Sequence, residues 1–145
     1  PNVSDGDLIL DNAAGEIKND NVRYYHSNTL TIAGGTTAPG ETKVVHAKNI
    51  TISSDLTYEG TYNNLDQMPK LVIYAEENIN INCGVNRIDA LLVAEKDVKT
   101  CGNSGVINNR ENSNQLIING AVIASNLIAN RTYGAATGAN SIIPA

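Results

Sequence analysis

Tryptophan and phenylalanine are absent from this 145-residue sequence, and methionine occurs once. Any core must therefore be filled by Ile, Val, Leu and Ala, and branched aliphatics suit pleated strands better than helix interiors. Basic residues are also few: ten Lys and Arg stand against fifteen Asp and Glu, for a formal net charge of −5. They are scattered singly, so nothing forms the basic stripe that nucleic acid or an anionic membrane would require. No apolar run approaches the roughly 20 residues needed to cross a bilayer, and no signal peptide is visible. A Gly-x-Ser-x-Gly elbow, a phosphate-cradling glycine loop and a His-Glu-x-x-His helix are missing too. The chain starts at Pro1 without Met. The expectation is a single domain, 1–145, that is a piece of a longer exported protein with any anchor outside this chain.

Hydrophobic residues make up 41% of the sequence, enough for a real core at this length. Helix-length amphipathic patterns are scarce; the best, "IDALLVAEKDVK" (88–99), also parses as strand, turn and strand. Elsewhere the signal has period two in short runs such as "TLTIA", "NITIS", "KLVIYA", "NININ" and "QLIING". Gly, Asn, Asp and Pro bound these runs, as short strands separated by tight turns require.

The runs resemble one another. "VVHAKNITISSDLTY" from Val44, "VIYAEENININCGV" from Val72 and "LLVAEKDVKTCG" from Leu91 each place aliphatics around an Ala, then a polar turn, then a second alternating strand. Ala47, Ala75 and Ala94 hold the same place, 28 and 19 residues apart. The longer interval is explained if "EGTYNNLDQMP" (59–69) bulges out. A later unit, "INGAVIASNLIA" (118–129), follows a second polar loop, "NSGVINNRENSN" (103–114), while "NTLTIAGG" and "GDLILDN" are weaker upstream members. A repeat of this length with two or three short strands predicts an all-β fold. The expected form is a right-handed parallel β-helix (β-solenoid) of about five coils with two inserted loops, 59–69 and 103–114. A β-sandwich would also give short strands and frequent turns, but offers no reason for the units to align.

Both cysteines fall in one window. Cys83 and Cys101 are 18 residues apart, close to the 19 between Ala75 and Ala94. In stacked coils they would share a corner at a Cα separation a disulfide tolerates; two free buried thiols are the alternative. Further Cys or His ligands at metal-binding spacing are lacking, and so is a Cys-x-x-Cys arrangement. A structural disulfide implies an oxidising, extracellular setting.

Little else suggests chemistry. His46 aligns with Tyr74 and Val93 and reads as a strand residue; His26 has no partner motif. Asp5, Asp7 and Asp11 lie close together but lack the other ligands of a calcium loop. Asp66, Glu76, Glu77, Asp89, Glu95 and Asp97 supply carboxylates, yet spacing nominates no glycosidase pair. No catalytic residue, cofactor or metal is expected. Tyr24, Tyr25, Tyr58 and Tyr62 are candidate contacts for a protein or glycan, since Tyr offers area and a hydroxyl at low entropic cost. Capping of strand edges would use the same residues. Sequons at Asn2, Asn49 and Asn130 arise easily in so Asn-rich a chain.

"INGAVIASNLIA" is similar to the coil of bactofilin-type polymer-forming proteins, which stack short β-solenoids into filaments. A closer likeness covers 70–145, from "LVIYAEENININCGVNRIDALLVAEKDVKTCG" to "NQLIINGAVIASNLIANRTYGAATGANSIIPA". It resembles the C-terminal ectodomains of surface proteins, some pilus-associated, in small-genome candidate-phylum bacteria. That resemblance implies an exported domain behind an N-terminal anchor, a cysteine pair at Cys83 and Cys101, and no enzymatic residues. The expected function is a non-enzymatic extracellular structural or adhesive domain, a subunit of a surface pilus or filament. Its partner would be itself, or a surface protein or glycan, and the tail 134–145 would cap one end or add to a neighbour. The alternative is a carbohydrate-binding module using loops 59–69 and 103–114.

Overall fold

The computed structural model describes residues 7–10, 21–61, 63–101 and 115–130. The tail 134–145, the loop 103–114, Tyr62, Asp5, Asp11, Asn2 and the 11–20 stretch lie outside the described residues. Nine strands follow in order: β1 (Asp7–Leu8), β2 (Asn21–Ile32), β3 (Gly35–Thr37), β4 (Thr42–Ile52), β5 (Leu56–Tyr58), β6 (Lys70–Ala75), β7 (Ile79–Ile81), β8 (Arg87–Thr100) and β9 (Ile117–Ala129). The only helical element among the described residues is one 3-10 turn, Leu65–Gln67, with the Asn64 side chain accepting from the Gln67 N–H at 3.2 Å.

Every strand pairing is parallel. The fold is thus all-β with parallel strands, and the antiparallel pairs of a sandwich do not occur among the described residues. Segment 88–99, helix-like in its periodicity, lies within the continuous strand β8, whose register against β9 shifts between Ala94 and Asp97.

The register follows three ladders. The first stacks Arg23, Val44, Val72, Leu91 and Ala121, and three residues on His26, Ala47, Ala75, Ala94 and Ala124. The second stacks Leu30, Ile50, Ile79, Val98 and Leu127, with Asp7 over Thr31 at one end. The third is shorter: Gly35 over Leu56 over Ile88 over Ile118. Successive steps in the first ladder advance 21 residues (Arg23 to Val44), 28 (Val44 to Val72), 19 (Val72 to Leu91) and 30 (Leu91 to Ala121). Because β4 and β8 bend from the first ladder into the second, each pairs with both β6 and β7. The pairing therefore closes into a four-strand ring, β4–β6–β8–β7.

The period-two pattern becomes the core directly. Inward side chains of all three ladders (Val45, Ile73 and Leu92; Ile50, Ile79 and Val98; Leu56 and Ile88) form one cluster with no solvent exposure. Each such side chain contributes about 1.5–3 kcal/mol by leaving water. The Ala column lies where the strands turn toward the second ladder. Gly120 (φ 158°) sits over Ala90, where a Cβ would collide with the Ala90 carbonyl, so β9 can approach β8 there only with glycine.

Candidate functional site

The cysteines are bonded. Cys83 and Cys101 form a disulfide with Cα atoms 4.5 Å apart, inside the range of about 4.4–6.8 Å that the bond requires. Ile81 pairs with Thr100, so Cys101 follows one position on, and its N–H donates to the Ile81 carbonyl at 2.7 Å. The bond thus closes the corner after the second ladder, between the end of β7 and the end of β8. Cys101 is buried and has φ 59°, a left-handed conformation rare for a non-glycine residue.

The corner between the first and second ladders is held by amides rather than sulfur. Asn78 sits over Asn49, and Asp97 over Asn78. The Asn49 Oδ1 accepts from the Asn78 N–H at 3.2 Å, and the Asn78 Oδ1 accepts from the Asp97 N–H at 3.2 Å. The Asn126 Nδ2 donates to the Asp97 Oδ1 at 3.0 Å. Each short amide or carboxylate thereby satisfies groups that the bend removes from the strand ladder. Glu77 accepts from Asn49 at 3.2 Å and from Lys96 at 3.3 Å. The Asn49 hydrogen bond, then that from Lys96, holds its carboxyl below the ordinary value.

Two buried charges tie the third ladder in. Asp89, 1% exposed, accepts from the Tyr58 N–H at 2.8 Å, the Arg87 Nε at 3.0 Å and the Asn119 Nδ2 at 2.7 Å, joining β5, β8 and β9. Burial pushes this carboxyl up, but the hydrogen bonds from Arg87, Tyr58 and Asn119 outweigh it and hold it below its ordinary value. Lys43, also buried, donates to the carbonyls of Leu10 (2.8 Å) and Thr36 (2.9 Å) and lies 3.5 Å from Glu41. Glu41 in turn accepts from the Ala38 N–H at 2.8 Å. These polar groups are engaged with backbone and with one another and so brace the fold.

The three described members of the nominated tyrosines, Tyr24, Tyr25 and Tyr58, occupy different settings. Tyr24 and Tyr25 are consecutive in β2, so they face opposite sides. Tyr24 is half-buried against the core, while Tyr25 is 43% exposed on the outer face. Tyr58 is also half-buried; its hydroxyl accepts from the Leu71 N–H at 3.3 Å. The described part of loop 59–69 is largely exposed, with Leu65 and Met68 outward.

Extending the first ladder's outer column upstream reveals a row that sequence comparison from Val44 onward did not: Tyr25, His46, Tyr74, Val93 and Ile123. Their rings stack edge to face, with centroids 5.1 Å apart for Tyr25–His46 and 4.9 Å for His46–Tyr74. The His46 Nε2 lies 3.0 Å from the Glu76 Oε1, and the Tyr74 hydroxyl donates to Glu95, which raises the Tyr74 pKa. The row places three aromatic rings side by side on the outer face of the first ladder. Among the described residues no group of three or more His, Cys, Asp or Glu could hold a metal ion, and no helix is long and apolar enough to cross a membrane. A scan against protein-family models, a search of curated proteins and a search of solved structures each found no match for this chain.

Proposed function

We propose that this chain is a non-enzymatic structural domain of the cell exterior, a subunit that stacks with its own copies in a surface filament or pilus. In this reading the three ladders are the faces of a right-handed parallel β-helix of five coils, with 59–69 and 103–114 as inserted loops. The right hand follows from the general rule for parallel crossovers, which twisted strands obey in nearly all proteins. The five coils are the five parallel steps from β1 through β9.

The observation that carries the proposal is the edge of β9. This strand is matched to β8 over twelve register pairs, and no described strand pairs with its other edge. Ile123 and Leu127 on it are 58% and 59% exposed, and Ile117 is exposed as well. A long edge strand carrying exposed apolar side chains is a template for another chain unless it is covered. Head-to-tail addition at such an edge does not close, and so generates filaments. The disulfide supports export, because such bonds persist in oxidising compartments.

Electron microscopy and light scattering of the purified chain test the reading. Filaments that disappear in Leu127→Lys support it. Persistent monomers at high concentration, or filaments indifferent to that lysine, reject it.

A further inference from the structure

The three ladders do not present the same outer surface. Outward positions of the second ladder are polar in four rungs, Thr31, Thr51, Asn80 and Lys99, with Ile128 in the fifth. Outward positions of the first are apolar or aromatic, Arg23 excepted, in two adjacent columns, one running Arg23, Val44, Val72, Leu91 and Ala121, the other from Tyr25 to Ile123. The sequence shows the same contrast. After Lys70 the stretch "LVIYA", like "ALLVA", is a continuous apolar run, as in strands covered on both faces, whereas "NITIS" and "NININ" alternate, as in strands with one wet face. Yet Val44, Val72, Leu91 and Val93 are half-exposed and Tyr25, Ala121 and Ile123 exposed.

We infer that the outer face of the first ladder is an interface with a second copy of this chain, related by a two-fold axis parallel to the direction of stacking. That operation lays one column of each copy on the other column of its partner, rung by rung. His46 then meets Val44 of the second copy, Tyr74 meets Val72, and Ile123 meets Ala121, so in these three rungs a larger side chain falls against a smaller one. Arg23 comes over the ring of Tyr25, a cation–π arrangement. At the margins Lys70 meets Glu76; both lie in or next to β6 on either side of the columns, and both are exposed. A two-fold axis along the strands instead would set Glu76 against Glu76, so charge selects the first arrangement.

The face also sets the strength. Five rungs at about 4.8 Å and seven residues at about 3.3 Å give a footprint of roughly 24 by 23 Å. That is about 1,100 Å² for the pair, near the lower limit of specific interfaces and the size of weak or transient contacts. This contact is lateral, and it is independent of the end-on stacking proposed for β9.

Sedimentation equilibrium of the 145-residue chain from about 1 to 500 μM tests it, in the Leu127→Lys background so that end-on assembly does not interfere. The expected species is a dimer. Lys70→Glu and Glu76→Lys should each raise its dissociation constant about tenfold, and the double exchange should return it to within threefold of the starting value. A monomer at every concentration, a dimer indifferent to both single exchanges, or single losses that the double exchange does not repair would overturn the inference. Filaments of the unmodified chain without a charge-sensitive dimer would overturn it too, and leave the stacking proposal standing.

Discussion

Removing the Cys83–Cys101 bond should lower stability by an amount fixed by the loop it closes. The sequence separation is 18. The chain-entropy relation then gives close to 11 cal/mol/K, or about 3 kcal/mol at 25 °C. The native corner retains a tie without sulfur, since the Cys101 N–H still donates to the Ile81 carbonyl. Most of the loss should therefore arise in the unfolded chain. For a chain of this length 3 kcal/mol corresponds to a fall in Tm of about 10 °C. Thermal melts followed by circular dichroism, with and without reductant, and of Cys83→Ser/Cys101→Ser, should agree on that value. Cys101 supplies an internal control. Its φ of 59° favours glycine, so Cys83→Ser/Cys101→Gly should exceed the double serine variant by about 0.5–1 kcal/mol. Melts that coincide within 3 °C in the presence and absence of reductant would refute the reasoning.

Asp89→Asn should cost about 1–3 kcal/mol at neutral pH, because the hydrogen bonds from Arg87, Tyr58 and Asn119 lose a buried charged acceptor. The folded pKa is depressed, so the stabilisation is fully present above the ordinary value of 3.8 and is lost as pH falls below it. The difference between wild type and variant in urea titrations should accordingly shrink from pH 5 to pH 2, and a constant difference would argue against it. Asn78→Ala removes the acceptor of the Asp97 N–H and should cost about 1–2 kcal/mol by the same measurement, whereas the outward Asn80→Ala should stay within about 0.5 kcal/mol. Gly120→Ala forces β9 away from the Ala90 carbonyl, and hydrogen exchange should show protection lost across β9 while β4 and β6 keep theirs.

Much of this architecture was legible because side chains in stacked parallel strands repeat at fixed positions. The alignment of Ala47, Ala75 and Ala94 became a true register, and the 18-residue cysteine spacing matched the 19-residue step beside it. The excess in the Val44–Val72 step corresponds to loop 59–69, which folds on its own 3-10 turn outside the ladders. What escaped was non-local. Asp89 resembled the exposed turn carboxylates, and its burial depends on Tyr58 and Asn119, each about 30 residues away. The third ladder rests on short segments such as Gly35–Thr37, too brief for a period to emerge. Tyr25 was legible as a candidate contact but not as the neighbour of His46, because its unit carries His26 where the others carry Ala.

The most direct test is cryo-electron microscopy of the purified, oxidised chain. End-on stacking of parallel rungs predicts filaments whose power spectra carry a spacing of about 4.8 Å along the filament axis. Isolated particles at every concentration, or fibres with that spacing across the axis, would contradict it.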